Sequence, residues 1–93
     1  MSFSGKIALV AGGSVGIGKV IAAGLAAGGA RVAIVTRDAV KGEAAAAAMR
    51  DSGGEARWFQ GDFLDYASMQ AAAQAVRAAY GPVDILVVKC LPV

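Results

Sequence analysis

The sequence predicts an α/β fold: one parallel sheet covered by helices on both faces, a three-layer arrangement in the order β-α-β-α-β-α-β. Three observations carry this. Residues 6–11, 31–36, 57–60 and 84–88 are short, near-continuous apolar runs, the pattern of strands buried on both faces. Alanine-rich stretches at 16–28, 40–52 and 66–80 separate them, with apolar residues recurring at helical spacing. Strict alternation of the two calls for right-handed crossovers in one parallel sheet.

The first helix is expected to bury Ile17, Val20, Ile21 and Leu25, with Gly24 and Gly28 allowing close approach to the sheet. The second presents Ala44, Ala45, Ala48 and Met49, and the third Met69, Ala72, Ala73, Val76 and Tyr80. Gly53-Gly54 and Gly81-Pro82 stop the last two helices. Residues 1–93 read as a single partial domain without linker or repeat.

Composition narrows the function. The 93 residues are 57% hydrophobic, much of it alanine, with a mean hydropathy of +0.58. A chain this size buries roughly 60–70% of the surface its unfolded form exposes, so its core is small. Its uncharged stretches are too short and glycine-broken to span a bilayer, and no signal peptide is legible, so a soluble cytoplasmic protein is expected. The single cysteine, Cys90, excludes an internal disulfide and a cysteine metal cluster, and the lack of histidine excludes Ser-His-Asp and imidazole-metal chemistry. Nine basic residues, spread from Lys6 to Lys89 for a net charge of +2, form no stripe, which argues against nucleic acid.

The run from Ala11 to Gly18 reads Ala-Gly-Gly-Ser-Val-Gly-Ile-Gly between the first strand and the first helix. Such a turn lays bare backbone N–H groups and a helix N-terminus, a setting for a pyrophosphate. The strict G-x-G-x-x-G needs a glycine at position 21, where isoleucine stands; the spacing here is Gly12-x-x-x-Gly16-x-Gly18. The architecture is therefore read as a Rossmann-type dinucleotide fold, with the other reading a glycine-rich turn that holds nothing.

From about Phe3 to Val87 the chain resembles the classical short-chain dehydrogenase/reductase family, whose fingerprint is Thr-Gly-x-x-x-Gly-x-Gly. Ala11 stands where the family has the threonine that braces the turn. The resemblance implies that Gly12, Ser14, Val15, Gly16, Ile17 and Gly18 grip a nicotinamide dinucleotide. At the end of the second strand, where an acid selects NAD, this chain reads Thr36-Arg37-Asp38, similar to members that prefer NADP. Arg37 is then the partner of a 2′-phosphate, and Asp38 caps the next helix. After the third strand, Asp62 matches the family's acceptor for the adenine amino group, with the backbone of Phe63 beside it, and Asp65 is the candidate cap of the third helix.

Family chemistry is hydride transfer between nicotinamide and a carbonyl or alcohol carbon, by a tyrosine with a lysine four residues on and a serine. Tyr66 is followed at that distance by Gln70 and Tyr80 by Asp84, and Ser68 reads as surface, so no catalytic residue is nominated. Where the family continues into Asn-Asn-Ala-Gly, this chain reads Lys89-Cys90-Leu91-Pro92-Val93. Lys89 and Cys90 admit a reading as a reactive pair. The expectation is an NADP(H)-dependent oxidoreductase present as its truncated cofactor-binding part, and inactive alone. A one-base deletion in the Lys89 codon, which would turn Lys-Cys into Asn-Ala, is one route to it. The alternatives are a non-catalytic nucleotide-binding or assembly module and an S-adenosylmethionine-dependent methyltransferase. The fourth strand is expected as an apolar edge open to self-association.

Overall fold

A computed structural model describes residues 3–12, 16–62 and 64–88. Four strands, β1 (Ile7–Ala11), β2 (Arg31–Thr36), β3 (Glu55–Gln60) and β4 (Ile85–Val88), alternate with α1 (Gly16–Ala27), α2 (Ala39–Asp51) and α3 (Tyr66–Tyr80). The strands are parallel in the order β3-β2-β1-β4. The expected α/β order is borne out. β3 begins two residues earlier than the apolar run, because Glu55 pairs in register with Arg31 and their side chains meet at 2.7 Å.

Two cores lie on the two faces of the sheet. On one, Ala8, Val10, Val32, Ile34 and Ala56 meet Ala22, Leu25 and Ala26 of α1 and Ala45, Ala46 and Met49 of α2. On the other, Ile7, Leu9, Ala11, Ala33 and Val35 meet Ala72 and Val76 of α3, with Phe59, Met69 and Tyr80 packed around them. Both faces of β1 are covered, which is why all five of its residues are buried. Each buried valine or isoleucine contributes roughly 1.5–3 kcal/mol.

α3 turns its expected face inward, with Met69, Ala72, Val76 and Tyr80 on the sheet, and α2 buries the expected Ala45 and Met49, whereas α1 departs from the spacing. α1 buries Gly18, Ala22, Leu25 and Ala26, while Ile17, Val20 and Ile21 are 66%, 71% and 38% exposed. Because Lys19 is its one charged residue, the pattern of α1 scarcely distinguishes one apolar stripe from another, and the small residues win the sheet by letting the axes approach. Gly24 faces open space, and Gly28 packs against the Phe3 ring rather than the sheet. In α2, Ala44 and Ala48 are exposed and Gly42 and Ala46 take the inner positions. In α3, Ala73 is exposed.

Asp38 and Asp65 cap α2 and α3, accepting from the N–H groups of Lys41 and Ser68, as the sequence suggests. Gly53 and Gly81 follow those helices and donate back to the carbonyls of Arg50 and Arg77. Asp84 fastens β4 to the centre: its N–H donates to the Ile7 carbonyl at 2.8 Å and its carboxylate accepts from the Ile7 N–H at 3.0 Å. Beyond it Leu86 and Val88 are 65% and 51% exposed, and among the described residues β4 is an edge strand of the sheet.

Candidate functional site

The carboxyl ends of β1, β2 and β3 converge, and loops from all three are tied to the end of β2. The Gly12 N–H donates to the Val35 carbonyl at 3.0 Å, and the Gly61 N–H to the Thr36 carbonyl at 3.2 Å. These bonds bring together the turn after β1, Thr36-Arg37, and Gly61-Asp62. In an open parallel sheet this end is where ligands bind.

Gly12 and Gly16 bracket the turn with φ of +84° and +60°. Side-chain-bearing residues seldom adopt these values, so the chain reverses here at low cost only with glycine. α1 starts at Gly16 directly above the sheet, so its first N–H groups and the positive end of its dipole face the ligand end. Gly18 is buried within the first turn of α1, and Ile17 beside it is exposed. Ser14, Val15 and Phe63, and likewise Lys89 and Cys90, lie outside the described residues.

Asp62 is held by three bonds. Its N–H donates to Ser68 Oγ at 2.9 Å, its carbonyl accepts from Asp65, and its Oδ1 accepts from the Leu64 N–H at 3.0 Å. Its Oδ2 lies 3.9 Å from Arg37 Nη1. The Arg37 side chain is 70% exposed, so this contact is weak and leaves the guanidinium available. Ser68, read from sequence as surface, is instead the part-buried acceptor that sets the Asp62 backbone.

Thr36 is more constrained than a strand-end threonine need be. The Trp58 indole N–H donates to Thr36 Oγ1 at 3.0 Å and to its carbonyl at 3.3 Å. The Thr36 hydroxyl lies 3.2 Å from the Asp38 carbonyl. Gly42 makes room for the indole. Sequence reading did not find this grouping, and the clue it offered was a glycine in an otherwise alanine-rich helix.

Tyr66 is 81% exposed. The Tyr80 hydroxyl is buried with no hydrogen-bond partner among the described residues, and it lies with Ser4, Arg31 and Glu55, at the opposite end of the sheet. Burial, reinforced by the Glu55 carboxylate, pushes its pKa above the ordinary 10.0 against the pull of nearby arginines. Among the described residues no three His, Cys, Asp or Glu side chains cluster to hold a metal. No described helix is long and apolar enough to cross a membrane.

A family model described as short chain dehydrogenase matches residues 6–89. The chain belongs to that family. It is 49% identical over 83 residues to the D-threitol dehydrogenase of Mycolicibacterium smegmatis, covering 89% of this chain and 32% of that one. The solved hydroxysteroid dehydrogenase of Escherichia coli superposes with a TM-score of 0.94 at 30% identity, covering 98% of this chain and 39% of that one. A metagenomic short-chain oxidoreductase in complex with NADP superposes at 0.86 with 40% identity, covering 92% and 39%. This short-chain dehydrogenase sequence thus spans about a third of the length of the curated relatives it matches. The family binds a nicotinamide dinucleotide, and the glycine turn and strand ends described above suit one.

Proposed function

We propose that this chain is the cofactor-binding part of an NADP(H)-dependent short-chain oxidoreductase. The observation that carries the cofactor preference is the end of β2: Thr36 occupies the acid position, and Arg37 follows it, exposed, beside the Asp62 loop. A ribose 2′-hydroxyl is read by an acceptor, whereas a 2′-phosphate calls for a guanidinium. The 40%-identical oxidoreductase solved with NADP supports this reading.

In this reading the backbone at Gly12, Ser14, Val15, Gly16, Ile17 and Gly18 holds the pyrophosphate against the α1 N-terminus. Arg37 takes the 2′-phosphate. Asp62 accepts from the adenine amino group, with the Phe63 backbone alongside. The dinucleotide, when bound, supplies or accepts a hydride at its nicotinamide. The chain contains no Tyr-x-x-x-Lys, so the proton-transfer group is not among its 93 residues, and we expect no turnover of a carbonyl substrate by this chain alone. A cytoplasmic location is part of the same proposal, to be checked by cell fractionation.

Calorimetric titration with NADPH, NADH and S-adenosylmethionine tests it. NADPH is expected to bind best, and Arg37→Ala to weaken it by about 10- to 100-fold, the worth of a charge-assisted bond, while leaving NADH nearly unchanged. Equal binding of both by the parent chain, or turnover without added protein, contradicts the proposal. The exposed Leu86 and Val88 favour a second reading, a nucleotide-binding module that assembles through β4. Sedimentation at micromolar concentration is then expected to show oligomers that Leu86→Lys disperses; a clean monomer removes that reading.

A further inference from the structure

Resting on the cofactor proposal, we infer that Ser68 is a positioning residue for base selectivity: by holding the Asp62 N–H it fixes the carboxylate that accepts from the adenine amino group, and so sets the preference for adenine over hypoxanthine.

Asp62 has hydrogen-bond partners inside its own loop and one outside it. Its carbonyl accepts from the Asp65 N–H at 2.9 Å and its Oδ1 from the Leu64 N–H at 3.0 Å. Those bonds shape residues 62–65 but turn with them. The outside partner is Ser68 Oγ, which accepts from the Asp62 N–H at 2.9 Å in a part-buried setting. Ser68 belongs to α3, and α3 is fixed on the sheet by Ala72 and Val76. Among the described residues no other hydrogen bond ties Asp62 to the body of the domain.

The residue before Asp62 makes this tie necessary. Gly61 is clamped between sheet and helix: a Cβ there would fall 2.5 Å from Val35 Cγ1 and 3.0 Å from Ala72 Cβ, and its N–H donates to the Thr36 carbonyl. That fixes where the chain leaves the sheet. A glycine is the residue least restricted by sterics, so the direction of the peptide after it is set by what holds its N–H, and Ser68 holds it. The carboxylate follows. With Oδ1 engaged by Leu64, Oδ2 accepts no hydrogen bond among the described residues and lies toward the end of β2, 3.9 Å from Arg37 Nη1. A carboxylate only accepts, so it suits the amino group of adenine and opposes the carbonyl oxygen that hypoxanthine carries in its place. Ser68→Ala removes this tie alone, because the cap of α3 runs through the Ser68 backbone N–H to Asp65 Oδ1.

The test is titration of NADPH and of its reduced hypoxanthine analogue into the full chain and its S68A, S68T and D62A variants. The parent is expected to favour NADPH by about tenfold or more, the worth of one charge-assisted bond, and D62A to erase that ratio. S68A is expected to weaken NADPH by about three- to tenfold while the analogue stays within about twofold, and S68T to restore the parent ratio. Independently of nucleotide, amide hydrogen exchange at Asp62 should speed up in S68A and not in S68T. Where D62A erases the ratio, an equal weakening of both nucleotides by S68A, a ratio that S68A leaves unchanged, or unaltered Asp62 exchange overturns the inference and leaves the cofactor reading standing. If D62A leaves the ratio unchanged, or neither nucleotide binds the parent, the assignment of Asp62 to adenine falls and the inference falls with it.

Discussion

Two glycines inside helices should respond to alanine in opposite directions. In α1, Gly24 has open space where a Cβ would go. Gly24→Ala there gains helix propensity, about 1 kcal/mol. In α2, Gly42→Ala gains the same about 1 kcal/mol but drives its methyl into the Trp58 ring. Overpacking of this kind costs about 1–3 kcal/mol, and displacing the indole from Thr36 forfeits about 1 kcal/mol more. The balance for Gly42→Ala is a loss of about 1–3 kcal/mol. For a chain of this size each kcal/mol moves the melting midpoint by about 4–8 °C, so a loss of 2 kcal/mol lowers it by about 8–16 °C, while Gly24→Ala raises it by about 4–8 °C. Thermal unfolding followed by circular dichroism and by Trp58 fluorescence measures both. In a Trp58→Val background, itself less stable for want of the ring, Gly42→Ala should no longer destabilise, since the clash disappears with the ring. A neutral or stabilising Gly42→Ala in the parent background refutes the steric argument, and a destabilising Gly24→Ala refutes the open-space one.

Other outcomes follow from single contacts. Tyr80→Phe removes a buried hydroxyl without a partner among the described residues and should be neutral or slightly stabilising near pH 7. Because the folded state holds the Tyr80 proton more tightly than the unfolded chain, its contribution is complete below pH 10.0 and is lost as pH rises through the higher folded value; Tyr80→Phe should flatten that alkaline fall in a pH series of melts. Asp84→Ala removes the carboxylate that accepts from Ile7 and should cost about 1 kcal/mol in urea unfolding, while Asp84→Asn retains part of it. Ser68→Ala leaves the Asp62 N–H without its acceptor and should lower stability by about 1 kcal/mol and loosen dinucleotide binding several-fold in the same titrations.

The strands were the most legible part of this chain. Sheet residues covered on both faces must be apolar almost without interruption, so runs such as Ile7–Ala11 admit little else. The capping roles of Asp38 and Asp65 were also plain, since a short acceptor before an alanine-rich stretch has one obvious use. The inward face of α1 was not legible, because periodicity needs contrast and its residues are nearly all apolar. The Gly12 turn and Arg37 could be placed at the ligand end from their position after successive strands. The supports beneath them could not: Ser68 under Asp62, and Trp58 with Gly42 under Thr36, are contacts between elements distant along the chain that no local pattern announces.

The strand order has a consequence for how the chain comes together. Partners across β1 and β2 are 24 residues apart, as are those across β2 and β3, whereas Ala8 and its partner Ile85 in β4 are 77 apart. Closing the longer span costs about 1 kcal/mol more in chain entropy, and its partner residues are synthesised after β1, β2 and β3. The strand that ends between two neighbours therefore stands at the rim of the sheet until β4 has been made, and the Asp84–Ile7 clasp is the event that converts one into the other.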